Sequence, residues 1–358
     1  MISLLNAWPC LAITLFTTTI GYTAFFTVAS LGWPGETSHE HCFEDNNHLK
    51  VIGCFCERPR PDSLIAQPAN TWSNLIYNVV AIFLAWSADS EKFPNPRWWH
   101  NNVNLLTREK YFMRTFCPVL SNVGYCSSSL HASFTLWSDK LDLLAIMAIF
   151  IWLELFSICK FSLMFMGWSN QGMRYAAIFH GIMWTTVMIP LVTLDYMGKI
   201  PDTRALLNSI GVFLLIELII RYFYEHCKQK ERMSQSWLGF VGVLFFAAGF
   251  GLLRMSTQVC YPESWFQPHA LWHVLSGIAM TFLFFFLLSD RFIMRRRNGR
   301  QIRASEVRMS MLFSKMHLIT PHEFDDESAV SDEESKNGKE GISIDSEDIF
   351  EENPRLDP

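Results

Sequence analysis

The sequence predicts an all-α, multi-pass membrane protein, with a seven-helix transmembrane core preceded by one extra N-terminal transmembrane helix. Three observations predict it. Half of the 358 residues are hydrophobic, with 30 Phe and 13 Trp. The apolar residues run in long blocks that lack the 3.6-residue alternation of a soluble helix. Several blocks reach the roughly 20 residues that a bilayer-spanning helix needs. This composition excludes an ordinary soluble domain.

Eight spans are expected, at 8–30, 69–88, 111–135, 141–159, 174–194, 204–224, 236–254 and 266–289. The first follows "MISLLNAW", which lacks a basic n-region, and reads as a retained helix rather than a cleaved signal. The third is the least apolar. Ser, Cys, Gly and His interrupt "FCPVLSNVGYCSSSLHASF", but small polar residues suit helix–helix contacts and intramembrane sites. The expected organisation is an N-terminal transmembrane helix or signal anchor at 1–30, a Cys-containing loop at 31–68 and the seven-span core at 69–290. A basic juxtamembrane segment at 291–320 and an acidic, Ser-rich, disordered tail at 321–358 follow.

Positive charge in short loops orients the chain. Arg291, Arg295, Arg296, Arg297, Arg300 and Arg303 follow the last span, and the loops after spans two and six are also rich in Lys and Arg. Both termini are therefore expected on the cytosolic side, with loop 31–68 and the site described next toward the lumen. The endoplasmic reticulum or Golgi is the expected compartment. Cys42, Cys54, Cys56 and Cys260 all fall on the oxidising side, where disulfides persist. A bridge from the first loop to Cys260 is a candidate, and Cys56 is the candidate partner. The run at 291–303 is a candidate contact for anionic lipid headgroups. Nothing points to a nucleic-acid partner.

Ionisable residues inside a membrane are rare and functional by default. With this orientation, four spans bring polar groups to one depth. They are Asn70, Ser73 and Asn74 at the start of the second span, Ser127 and His131 in the third, Asp142 at the start of the fourth, and His269 and His273 in the eighth. Residues i and i+4 share a helix face, so His269 and His273 can hold one metal. With His131 they make the three-ligand, open arrangement of a catalytic zinc. Asp142 is the candidate proton acceptor, and Ser127 the candidate hydrogen-bond donor to an oxyanion. Singly, each residue has a plainer reading: a histidine bonded to a neighbouring helix, a small packing serine, a helix-terminal acid. Their convergence at one depth favours a metal-dependent hydrolase acting on a lipid. Glu154, Glu217 and His180 lie elsewhere and read as interhelical hydrogen-bonders.

The chain resembles the alkaline ceramidases of the CREST superfamily of seven-span membrane hydrolases. The resemblance rests on "NTWSNLI" (70–76), on Ser127-x3-His131 with Asp142 following in "SSSLHASFTLWSDKLD", and on "HALWH" (269–273), with "CFCERPRP…IAQPANTWSN" leading in. It covers about residues 54–290. It implies zinc held by His131, His269 and His273, Asp142 as acid/base and Ser127 beside the zinc. The reaction would be hydrolysis of a ceramide amide to a sphingoid base and a free fatty acid. The family's animal members carry an acidic calcium site before the first core span. Here Glu57 is its candidate remnant, flanked by Arg58, Pro59 and Arg60, and Gln67 stands where an acid is usual, so calcium dependence is not expected. Leu143 likewise replaces an acid. The competing readings are another lipid hydrolase or acyl-remodelling enzyme of the superfamily, and a seven-span lipid-binding receptor or scaffold with a structural metal.

Overall fold

The long apolar blocks form helices, and proline starts three of them at a position where its missing N–H costs nothing. The computed structural model describes residues 8–34, 55–60, 63–89, 105–166, 170–197, 236–255, 261–289, 294–295 and 301–302, with Val212, Leu215, Ile216 and Ile219. The chain divides into two units, Met1–Ser305 and Glu306–Pro358, and the described residues all lie in the first. In chain order the helices among them are α1 (Pro9–Leu31), α2 (Pro68–Ser73), α3 (Leu75–Asp89), α4 (Leu105–Arg108), α5 (Lys110–Ser133), α6 (Leu136–Met166), α7 (Asn170–Tyr196), α8 (Ser236–Met255) and α9 (Pro268–Leu288).

The fold is all-α apart from one two-residue ladder, and among the described residues four helices are long and apolar enough to cross a membrane: Pro9–Leu31, Leu136–Leu163, Gln171–Leu194 and Pro268–Leu288. Their exposed side chains are those a bilayer accepts, such as Phe16, Ile20 and Phe26 on α1 and Ile178, Phe179, Ile182 and Ile189 on α7. Helix α5 packs against α1, α3 and α6. Helix α9 packs against α8, α2 and α3. One aromatic core joins them. Phe112, Phe116, Trp152, Phe156 and Phe284 are nearly inaccessible, and Trp152 stacks on Phe156 with ring centroids 5.4 Å apart. His180 is an interhelical bonder, as expected: Nε2 faces the Trp152 carbonyl at 3.1 Å and Nδ1 the Tyr111 hydroxyl at 3.2 Å.

Several elements differ from expectation. The second expected span breaks at Asn74, between α2 and α3. Helix α6 starts at Leu136, not at 141, so Asp142 sits in the second turn rather than at the helix start. The cause is local. Phe134 adopts a left-handed conformation (φ 55°) that stops α5 at once. Ser138 Oγ then accepts the Thr135 amide at 3.2 Å and starts the next helix early. The least apolar expected span does form a helix, α5, whose Ser121, Ser127, Ser128, Ser129 and Ser133 are all buried. In the basic segment, Met294–Arg295 and Gln301–Ile302 pair as a short antiparallel ladder. The sixth expected span (204–224) lies outside the described residues apart from Val212, Leu215, Ile216 and Ile219, which are helical. Glu217 and the tail at 321–358 also lie outside them.

Helices α3 and α5 approach closely where Gly124 meets Asn78; a Cβ on Gly124 would lie 2.1 Å from Asn78 Oδ1. Asn78 is buried and donates to the Ser121 carbonyl at 3.0 Å and to Ser121 Oγ at 2.8 Å, so it cannot swing aside. Gly124→Ala is therefore expected to cost about 1–3 kcal/mol by overpacking, read as a lower melting temperature in detergent.

Candidate metal centre and hydrolytic site

Two Gln–Pro steps begin the helices that build the site. Gln67–Pro68 starts α2 and Gln267–Pro268 starts α9, and both glutamines are buried. Helix α9 presents His269 and His273 one turn apart on a buried face. Helix α5 brings His131 in its last turn, just before Phe134 ends it. One nitrogen from each of the three histidines lies within 4.8 Å of the others, and all three are buried.

Hydrogen bonds fix which nitrogen two of the rings offer. His131 Nδ1 is 2.9 Å from Gln67 Oε1. A carbonyl oxygen can only accept, so Nδ1 carries the proton and Nε2 is bare. His273 Nδ1 is 2.7 Å from Ser73 Oγ, whose own hydrogen goes to the Asn70 carbonyl at 2.9 Å. Nδ1 is again the donor, and Nε2 is bare. His269 Nε2 faces His131 Nε2 at 3.1 Å, while its Nδ1 is buried without a partner.

No bond fixes the His269 tautomer: with its proton on Nε2 the ring donates to the bare His131 Nε2, and with its proton on Nδ1 the two facing nitrogens are both bare. The second arrangement suits a cation between the rings. Two nitrogens at zinc-ligand distance and tetrahedral angle lie roughly 3.3 Å apart, close to the observed 3.1 Å. The donor set and its burial fit a transition metal held by three imidazoles.

The other expected residues fall into distinct roles. Asp142 is buried beside Ser127, and its Oδ1 is without a hydrogen-bond partner. Ser73 orients His273, as described. Asn70 Nδ2 donates to Gln67 Oε1 at 3.2 Å and so supports the oxygen that holds His131. Asn74 Nδ2 donates back to the Asn70 carbonyl at 2.9 Å. Glu57 is committed elsewhere. Its two oxygens accept the Ala69 and Asn70 amides at 2.9 and 2.8 Å, capping α2. Burial pushes its carboxyl above the usual range, against the pull of those two bonds. Cys56 is buried and disulfide-bonded. Cys260 lies outside the described residues.

Three residues join the site without having been singled out for it. Gln67 orients His131. Its position before Pro68, mirrored by Gln267 before Pro268, was the available signal. Phe55 lies over the histidines, with ring centroids 4.0 Å from His269 and 4.6 Å from His131. Tyr77 lies one turn below Ser73, its ring 6.3 Å from that of His273, and donates to Ser276 at 2.6 Å. Ser276 spends its own hydrogen on the Trp272 carbonyl at 2.7 Å. Nothing in the sequence marks Phe55 or Tyr77 among so many aromatics.

A family model described as Ceramidase matches residues 55–311. The chain belongs to the ceramidase family. No curated protein and no solved structure matches it significantly. The match takes in the histidine cluster, Ser127 and Asp142, and leaves out α1. As a ceramidase the protein is an amidohydrolase, and its substrate is a lipid, ceramide. Two of the membrane-length apolar helices carry site residues, Asp142 on α6 and His269 and His273 on α9, which suits such a substrate.

With Glu57 engaged by backbone amides, raising calcium from zero to 1 mM is expected to leave the melting temperature of this ceramidase unchanged. Glu57→Ala strands the buried Asn70 amide and the part-buried Ala69 amide and is expected to cost about 1–3 kcal/mol, seen as earlier melting with or without calcium.

Proposed function

We propose that the protein is a zinc-dependent alkaline ceramidase that works inside the membrane, cleaving the amide of ceramide-type sphingolipids to a sphingoid base and a free fatty acid. The observation that carries this reading is the convergence of three buried imidazoles, two of them turned with a bare Nε2 by Gln67 and Ser73. His131, His269 and His273 would hold the zinc. When bound, zinc supplies Lewis acidity, which makes water acidic near neutral pH and polarises a carbonyl.

The chain's own residues supply the rest. Asp142 accepts the proton of the attacking water as its oxygen adds to the carbonyl carbon. Ser127 lies beside Asp142. The Ser127 hydroxyl donates to the oxyanion that forms. Asp142 then returns the proton to the leaving nitrogen as the C–N bond breaks, so the amine leaves neutral. Phe55 covers two of the histidines and keeps bulk water away.

The cytosolic placement of both termini, a lumenal site and an endoplasmic reticulum or Golgi location are part of the same reading, supported by loop charge. A Cys56–Cys260 bridge is supported by two contacts that bring its neighbourhoods together. The Arg58 amide donates to the Pro262 carbonyl at 3.1 Å, and the Arg58 guanidinium meets Glu263 at 3.0 Å. Contact of 291–303 with anionic headgroups is supported by the density of arginines there.

Expected outcomes follow for purified variants assayed for zinc and for fatty-acid release from ceramide. His269→Ala loses both metal and turnover. Asp142→Asn keeps its zinc and loses about 10²–10⁴-fold in turnover. Gln67→Ala and Ser73→Ala weaken zinc binding by about 10–100-fold without abolishing it.

A further inference from the structure

The family match begins at residue 55, yet α1 is built into the bundle as closely as the helices within the match. Its contacts are polar and specific. Thr18 Oγ1 and Ser121 Oγ are 2.6 Å apart. The Tyr22 hydroxyl donates to Asn78 Oδ1 at 2.9 Å and lies 3.4 Å from Ser128 Oγ. The Leu11 amide donates to Asp89 Oδ2 at 2.8 Å, anchoring the start of α1 on the end of α3. Gly21 sits flat on Tyr125, where a Cβ would lie 2.4 Å from the ring. Cys10, Thr14, Phe25 and Ala29 are buried by the same packing.

These contacts form a continuous seam. Asn78 of α3 receives the Tyr22 hydroxyl on its oxygen and donates from its nitrogen to Ser121 of α5. Ser128 of α5 donates to the Thr71 carbonyl of α2 at 3.2 Å. Thr71 and Ser128 are direct neighbours of the site: Ser127 adjoins Ser128, His131 lies three residues on, and Ser73 lies two residues after Thr71. Helix α5 carries Ser127 and His131, and α2 carries Ser73. In lipid, a buried amide such as Asn78 must find its partners within the protein. Tyr22 is one of them.

We propose that α1 is a retained working part of the ceramidase, and that Tyr22 is a positioning residue that sets α5 relative to α2 and α3, and so sets Ser127 and His131 relative to Ser73 and His273. This inference rests on the hydrolytic reading of those residues. It adds an element that lies outside the matched residues. Tyr22 touches neither substrate nor metal; it acts through Asn78 and Ser128.

The test uses full-length protein in detergent with a ceramide substrate. Tyr22→Phe keeps the ring and removes only the hydroxyl. It is expected to lower kcat about three- to tenfold with little change in KM, zinc content or melting temperature. Thr18→Val is expected to move kcat in the same direction. Thr27→Ala, on an exposed stretch of α1 where the hydroxyl bonds only its own helix, is expected to match the wild type. Peptide mapping of the purified protein is expected to recover residues 9–31. Wild-type kcat in both Tyr22→Phe and Thr18→Val, or loss of 9–31 from active protein, overturns the proposal. A fall in melting temperature or zinc in proportion to the fall in kcat reduces Tyr22 to a packing role and also overturns it. Inactivity of the wild type toward ceramide would instead count against the hydrolytic reading itself.

Discussion

The hydrogen bond from His131 Nδ1 to Gln67 Oε1, at 2.9 Å, is the interaction on which the site depends. It fixes the His131 tautomer, and it draws together two chain segments. Around it the backbone is also paired: the Gln67 amide donates to the His131 carbonyl and the Ala66 amide to the Ala132 carbonyl, both at 2.9 Å. The approach to α2 is thereby stitched to the end of α5. Glu57 caps α2 from the same segment, and Gln67 Nε2 donates to the Glu57 carbonyl at 2.5 Å. The residues before the first core span are thus a framework for the histidine that they orient.

The second fixed relation is that of α9 to α2 and α3. Ser73–His273 and Tyr77–Ser276 are two rungs, one helical turn apart, on facing helices. Gly277 lets the helices meet, since a Cβ there would lie 2.8 Å from Ile76 Cγ1. Both rungs are serine-mediated, and each serine spends its own hydrogen on a backbone carbonyl. That leaves its oxygen to accept from the ring partner. A slip of α9 by one residue would break both rungs together, so the pair specifies the register that carries His269 and His273 to His131.

Much of this was legible in the sequence because it follows from spacing along single helices. His269 and His273 share a face by their separation alone, and the apolar blocks announce the long helices. The roles of Ser73 and Asn70 were legible as support, but not which histidine each serves. What was hidden depends on contacts between helices or on local stereochemistry. The early start of α6 turns on a left-handed Phe134 and on Ser138, a conformation that no side-chain pattern around residue 134 signals. Glu57 reads as a remnant ligand by comparison with relatives. Only the fold shows both of its oxygens on the amides of α2. Phe55 and Tyr22 were hidden among the many aromatics of a membrane protein.

The central claim is that three buried imidazoles hold a zinc on which amide hydrolysis depends. Its most direct test is a zinc titration of metal-stripped, full-length protein with ceramide as substrate. The account predicts negligible fatty-acid release from the stripped protein. Turnover should then rise linearly with added zinc to a plateau at about one ion per chain, matching one open three-imidazole site. Full turnover by protein shown to hold no zinc, or a plateau reached without occupation of these histidines, would contradict it.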